Sequence, residues 1–412
     1  MSKIAIIGAG ITGVTTAFAL SEKGHEVTVF DRHRYAAMET SYANGGQLSA
    51  SNAEVWNHWP TVIKALRWIF RADAPLLLNP KPSWHKYSWL AEFIGSIPKY
   101  RENTVATTRL AIAARSHLLA MAEKAGVDFN AEHRGILHFY ETQGDFEKAK
   151  RSNGLLEEGG LERRQVSAAE ICAIEPALQG NFVGGFFTPS DFTGDIHKFT
   201  RGVMRYLEGK GVAFVQEANV FEITRSGRGI GLGWSLEFAA EHPAIERAGF
   251  DAVVICAGTA SRNFASMLGD RVNIYPVKGY SITVELQNER DQNTAPWVSL
   301  LDDRAKIVTS RLGAQRFRIA GTAELNGFNR DIRADRIKPL VDWARRHFPE
   351  MDTGRIVPWA GLRPMMPDMM PRVGPGNSRD VFYNTGHGHL GWTLSAATAE
   401  LVSAQISQSL AA

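Results

Sequence analysis

Three glycines near the start of the chain could hold a phosphate. Gly8-Ala9-Gly10-Ile11-Thr12-Gly13 stands between an isoleucine-rich run, Lys3 to Ile7, and a stretch of helical spacing. In that setting Gly8 allows a tight turn, Gly10 lets the backbone approach a pyrophosphate, and Gly13 permits close packing of helix on strand. Ile11 and Thr12 lead into a helix whose N-terminus offers unpaired N–H groups and a partial positive charge. Asp31, with Arg32 after it, ends the next strand. A carboxylate there can accept hydrogen bonds from a ribose diol and repels a 2′-phosphate. A glycine-rich turn without a ligand would use the same residues.

A second glycine cluster lies far away, in Asn384-Thr385-Gly386-His387-Gly388-His389-Leu390-Gly391-Trp392-Thr393, again before a helix. A second helix N-terminus with bare backbone suits a flavin, whose reduced ring carries negative charge near N(1) and the C(2) carbonyl. A simple nicotinamide enzyme has no need of it. The same residues also fit a tight strand-to-helix turn, and His387 and His389 also fit packing or surface positions. No cysteine stands in this motif, so the expected cofactor is noncovalent FAD.

Several elements must hold these motifs. Lys3 to Ile7 and Asp251 to Gly258 read as strands buried on both faces, as in a parallel sheet. Glu26 to Phe30 is a further strand, Thr104 to Ala125 a long amphipathic helix, and Asp195 a fitting N-cap for a helix over Ile196 to Gly209. Gly135 to Tyr140, Phe182 to Thr188 and Val212 to Ile223 read as strands. Tyr275 to Leu286, Lys306 to Ser310 and Arg316 to Gly321 look antiparallel. Helices close the pattern over Ile337 to Phe348 and from Thr393 onward. Parallel-type elements at the start, middle and end suggest two domains that the chain crosses several times.

Four separated blocks give the chain a family likeness: Glu39 to Ser49, Tyr275 to Ser281, Trp359 to Asp368 and Asn384 to Thr393. With them it resembles the D-amino-acid dehydrogenase small-subunit group of the FAD-dependent D-amino-acid oxidase superfamily, almost end to end. The resemblance implies an α/β fold: a Rossmann-like FAD-binding domain (1–55, 190–270 and 355–412) interleaved with an α+β substrate domain (56–189 and 271–354) whose large mixed sheet roofs the flavin. It implies that Ser41, Asn44, Gly45, Gly46 and Gln47 line the flavin and its pyrophosphate. Val220 would meet the adenine, with Ala257 and Gly258 beneath it. Arg363, in Gly361-Leu362-Arg363-Pro364, would hold a substrate α-carboxylate, which a planar guanidinium can do through two parallel hydrogen bonds. Tyr280 and Tyr42 could each add a hydroxyl near the substrate or be core aromatics.

The chain departs from that family at Asp368-Met369-Met370-Pro371 and at His389, where a smaller residue is common. The methionines suggest an adaptable apolar pocket wall. The implied reaction is hydride transfer from the Cα of a small D-amino acid to the flavin, giving an imino acid and then a 2-oxo acid. Electrons would pass to a membrane quinone. Trp56, Trp59, Trp68 and Leu76 to Leu78, mixed with Lys64, Arg67 and Arg71, could rest on an anionic bilayer, or be a helix packed on the protein's own core. Alternatives are a dehydrogenase or oxidase of a cyclic or N-substituted amino acid (cis-4-hydroxy-D-proline, D-proline, sarcosine) and an electron-transfer subunit.

The chain has 412 residues, 44% hydrophobic and 22% charged, with a formal net charge of +3. That balance does not suggest a nucleic-acid partner. Its two cysteines, Cys172 and Cys256, form no metal or disulfide spacing. No run is apolar enough for a transmembrane helix, so a cytoplasmic protein, peripheral on the membrane at most, is expected.

Overall fold

The computed structural model describes residues 1–68, 75–226, 229–236 and 245–411. Arg71, and the side chains of Lys64, Arg67 and Trp68, lie outside the described residues.

One sheet has six strands, in the spatial order Arg372–Pro375, Val381–Thr385, Ala252–Ile255, Lys3–Ile7, Glu26–Phe30 and Ala213–Val215. All neighbours are parallel except the first pair. Burial on both faces explains the unbroken apolar runs. Ile4 and Ile6 pack with helices Ile11–Glu22, Ile196–Gly209 and Gly391–Ala411, whereas Ala5 and Ile7 pack against a three-stranded antiparallel sheet. That smaller sheet comprises Ala218–Ser226, Gly229–Leu236 and Ile245–Phe250.

The expected strand from Val212 to Ile223 is therefore two strands in two sheets. Glu217, at φ 56, turns the chain between them.

The second large sheet has nine strands. Ile356–Met365 is one edge, followed by Tyr275–Glu285, Arg316–Leu325, Ile307–Arg311, Ser299–Asp302, Ile136–Tyr140, Gly184–Thr188 and Arg164–Val166; Leu76–Leu78 pairs with Arg316–Leu325. The helix Ala334–His347 covers one face through Leu340 and Trp343. The opposite face looks onto the six-stranded sheet's glycine turns.

Two segments sit differently from the expected division. Ile356–Met365 hydrogen-bonds along Tyr275–Glu285, in the large sheet. Pro358 and Pro364 hide this strand from propensity, but an edge strand tolerates proline because its outer side needs no ladder bonds. Tyr100–Lys124 places Leu118 and Met121 among the helices of the six-stranded sheet. No helix among the described residues is long and apolar enough to cross a membrane.

Candidate active site

A cavity of about 620 Å³ runs between the two large sheets, a size suited to a cofactor with its substrate. Its floor is the first glycine turn. Gly8 adopts φ 108, and a Cβ there would press on the Cys256 carbonyl. A Cβ on Gly13 would overlap the Gly8 carbonyl oxygen, so Gly13 serves helix–strand packing and does not itself line the cavity. Gly10 is different. A Cβ there would meet only Ser41 Oγ at 3.5 Å, so the protein's own packing does not demand glycine. The bare backbone instead leaves room on the cavity side, as a close-approaching pyrophosphate requires.

Asp31 stands at the end of its strand and lines the cavity. Its Oδ2 accepts from Ala9 N at 2.6 Å and its Oδ1 from His33 N at 2.8 Å. Burial raises its carboxyl above the usual range, against those hydrogen bonds. Arg32 donates to Glu39 Oε1 at 2.6 Å, and Arg330 reaches Glu39 from the large-sheet side. Burial pushes the Glu39 carboxyl up, but hydrogen bonds from His33, Arg330 and Arg32 outweigh it and hold the group well below the carboxylate range.

The loop after these residues is knitted by its own side chains. Ser41 Oγ accepts from Ile11 N at 3.0 Å, Asn44 Oδ1 from Gly46 N at 2.9 Å, and Gln47 Nε2 donates to Ser299 Oγ at 2.8 Å. Gly45 and Gly46 lie where a Cβ would press on Val308 and Ser310 of the large sheet. Val220, Ala257 and Gly258 also line the cavity.

The second glycine turn enters from the opposite side. Gly386 and Gly388 adopt φ 78 and 60, and the helix that starts at Gly391 points its first amides, with Trp392 and Thr393, at the cavity. The Trp392 indole turns away into a cluster with Phe129 and Phe199. His387 is buried, with Nε2 beside Thr398 Oγ1 at 2.9 Å, and burial lowers it to about 3. His389 stacks on Trp56 at 4.8 Å between ring centroids, and its Nε2 lies 3.1 Å from the Asn52 carbonyl. Since a carbonyl only accepts, Nε2 carries the proton. Burial lowers His389 to about 4, so both rings are neutral near pH 7.

The other end of the cavity is built by side chains. Arg363 Nη1 donates to the Thr322 carbonyl at 2.9 Å. Among the described residues no carboxylate pairs with this guanidinium, and desolvation lowers it to about 10. A charge so placed calls for an anion. Gly279, on the adjacent strand, makes its resting place, because a Cβ there would overlap the guanidinium. Trp56, His58, Thr61, Leu76, Glu54 and Lys306 also line the cavity.

Neither tyrosine brings its hydroxyl to the cavity, and Tyr280 takes the core alternative. Tyr280 contributes backbone to the lining, but its side chain lies with Ile282 and Val284 on the face covered by Ala334–His347. Its hydroxyl donates to Glu324 Oε2 at 2.8 Å. Strand alternation puts Gly279 and Ser281, not Tyr280, on the cavity side. Tyr42 is 43% exposed and packs edge-on against His197, away from the cavity. The expected methionine wall is also misplaced. Met369 packs with Trp89, Phe93 and Tyr275 in a separate core cluster, and Met370 Sδ accepts from Thr107 Oγ1 at 3.2 Å, so neither lines the cavity.

Sequence reasoning missed Glu54, Lys306 and Gly279. No spacing joins the first two. Gly279 could have been found, since its strand parity matches Val277, the register partner of Arg363.

Comparison with known proteins agrees with this architecture. A model of the family "FAD dependent oxidoreductase" matches residues 3–405. The chain is 60% identical over 410 residues to D-amino acid dehydrogenase 3 of Mesorhizobium japonicum, covering 100% of this chain and 98% of that one. It is 40% identical to the D-amino acid dehydrogenase of Paramagnetospirillum magneticum, over 98% and 95% of the two chains. Glycine oxidase from Geobacillus kaustophilus has a similar fold, with TM-score 0.77, 18% identity and coverage of 99% and 95%. Two glycine turns facing one cavity, a bare Gly10 backbone and a family match across nearly the whole length lead to one assignment: the chain belongs to the FAD-dependent oxidoreductase family and is an enzyme that works with FAD.

Proposed function

We propose that the enzyme oxidatively deaminates a D-amino acid, as the names of its relatives suggest, with Arg363 binding the α-carboxylate. The observation that carries this reading is the uncompensated guanidinium of Arg363, enclosed at the far end of the cofactor cavity. When bound, FAD supplies the acceptor for the Cα hydride. The protein's part is positioning. Arg363, backed by the Thr322 carbonyl and the bare face of Gly279, fixes the carboxylate and with it the direction of the Cα–H bond. Trp56 and Leu76 wall the substrate off from water. The amide of Thr12, and those that begin the Gly391–Ala411 helix, offer partial positive charge to the cofactor's phosphates and ring.

FAD is held noncovalently in this reading. Cys256 lines the cavity, but burial pushes its thiol up to about 12 and it lies 3.8 Å from Thr16 Oγ1. We assign the electrons to a membrane quinone. Trp59, Ile63, Trp84 and Tyr87 are exposed on the two helices, Trp59–Trp68 and Trp84–Gly95, that flank the cavity-lining Pro75 and Leu76 in the chain, and aromatic residues of this kind suit a bilayer interface.

Anaerobic mixing of the purified flavoprotein with paired enantiomers tests the reaction. D-amino acids should bleach the flavin and yield the 2-oxo acid and ammonia, while their L-forms leave it oxidised. Bleaching by neither enantiomer, or equally by both, would overturn the assignment.

A further inference from the structure

Two glycines stand opposite each other at the edge of the large sheet. Gly279, in Tyr275–Glu285, is the register partner of Gly361, in Ile356–Met365, and both line the cavity. Residues directly opposite in an antiparallel pair point to the same face, with Cβ positions about 5 Å apart. Neither residue has a Cβ, so the pair leaves a bare trough in the cavity wall.

Two side chains fill this trough. The Arg363 guanidinium lies over Gly279, where its Nη2 would be 2.3 Å from an added Cβ. The Trp359 indole lies over Gly361, where its Cη2 would be 2.0 Å from an added Cβ. Trp359, Gly361 and Arg363 share one face of their strand, as their spacing requires, and all three line the cavity. The six-membered ring of the indole therefore leans along the strand towards Arg363, and indole and guanidinium are neighbours on bare backbone. Trp359 is only half-buried, so part of its ring stays open to a ligand.

Pairing fixes the other surroundings of the guanidinium. Its Nη1 donates to the Thr322 carbonyl at 2.9 Å. The next residue, Ala323, pairs with Leu76 and donates its backbone N–H to the Pro75 carbonyl at 2.7 Å. Ala323, Pro75 and Leu76 line the cavity too. An indole, a proline and two aliphatic side chains thus adjoin the carboxylate anchor. Desolvation alone lowers the Arg363 guanidinium, with no contribution from a neighbouring charge. A charged substrate side chain would be desolvated there without a counter-charge, which is costly. A flat apolar one would gain by burial and by stacking on the indole.

Resting on the D-amino-acid reading, we propose that Trp359 is a specificity residue: its indole receives the side chain of a substrate held by Arg363, and the preferred D-amino acids carry a planar apolar side chain, as phenylalanine does. The expected small substrate gives way to a larger one. Trp359 takes no part in the bond-making steps.

The test compares D-phenylalanine with D-alanine and with D-lysine, whose side chain is of similar length but charged. In the wild-type holoenzyme kcat/KM, per bound flavin, should favour D-phenylalanine over each by about tenfold or more, the worth of burying a phenyl group. Trp359→Leu keeps an apolar group but loses the flat face. It should cut the D-phenylalanine to D-alanine ratio by about three- to tenfold, the worth of an aromatic pair. A wild-type preference for D-alanine or D-lysine, or a ratio unmoved by Trp359→Leu, overturns the proposal.

Binding of 3-phenylpropanoate against propanoate, read by calorimetry on the wild-type holoenzyme, judges the wall without turnover and without a variant. Tighter binding of 3-phenylpropanoate is expected, and equal or weaker binding overturns the assignment of Trp359. Failure of every D-amino acid to bleach the flavin, with the phenyl difference intact, would count against the reaction and not against this wall.

Discussion

The two ends of the cavity are built on opposite plans. At the dinucleotide end the working groups are backbone amides, exposed by glycines and aimed by two helix starts, with few side chains reaching in. At the amino-acid end the working groups are side chains, with Arg363, Trp56, Lys306 and His389 arriving from several separate segments. Backbone recognition depends on there being no side chain at fixed spacings, so substitution there should threaten the whole structure. Side-chain recognition depends on a few groups in open space, so substitution there should change kinetics and leave cofactor and fold intact.

The largest effect should come from Gly13→Val. Its Cβ would occupy the site of the Gly8 carbonyl oxygen, and the helix cannot retreat without breaking the Ile4 and Ile6 packing. Little soluble flavoprotein is expected, as measured by flavin retained through gel filtration. A yellow, active Gly13→Val protein would break the contrast.

Arg363→Lys comes next. It keeps the charge but loses the two-point fork. The expected loss is about 1.5–3 kcal/mol of transition-state binding, or roughly tenfold to over a hundredfold in kcat/KM, with FAD content unchanged. Gly279→Ala should act through Arg363 by displacing the guanidinium, lowering kcat/KM in the same direction but by less, because a long side chain can shift. Loss of FAD in either variant would show that the two ends are not separable.

The smallest effects concern groups outside the reacting region. Tyr42→Phe should leave kcat/KM within about twofold, since solvent and His197 are its surroundings. His387 and His389 should add no inflection to activity near pH 7, because both are already neutral there. Their signature belongs to stability. The unfolded chain takes up these protons from about pH 6.5 downward, whereas the folded groups resist until about 3 and about 4. The unfolded state therefore binds more protons in that window, and stability falls as pH drops from about 6.5 towards 4. Thermal melts of His389→Asn should show a weaker dependence over that range than wild type.

The same contrast explains what could be read in advance. Gly8, Gly10, Gly13 and Asp31 carry their geometry in their spacing, because one strand, one turn and one helix suffice to place them. The likeness at Gly386 to Thr393 pointed to the second turn. Between the two readings of Tyr280, the core aromatic was legible in advance: it shares strand parity with Ile282 and Val284, which face a helix layer. Pro358 and Pro364 concealed an edge strand. Glu54 could not be foreseen, since Tyr100 and Ser152, which donate to it, come from two separate helices. Local chemistry was legible, whereas long-range side-chain meetings were not.

The central claim is that the Arg363 guanidinium stands uncompensated until a substrate carboxylate arrives. Anaerobic rapid mixing of wild-type and Arg363→Met flavoproteins with the best D-amino acid and with the matching amine that lacks the carboxylate tests it most directly. The account predicts that wild type is reduced far faster by the amino acid, and that Arg363→Met, with full FAD content, loses this advantage by about a hundredfold while its slow reduction by the amine persists. An Arg363→Met enzyme that still favours the amino acid as strongly as wild type would contradict it.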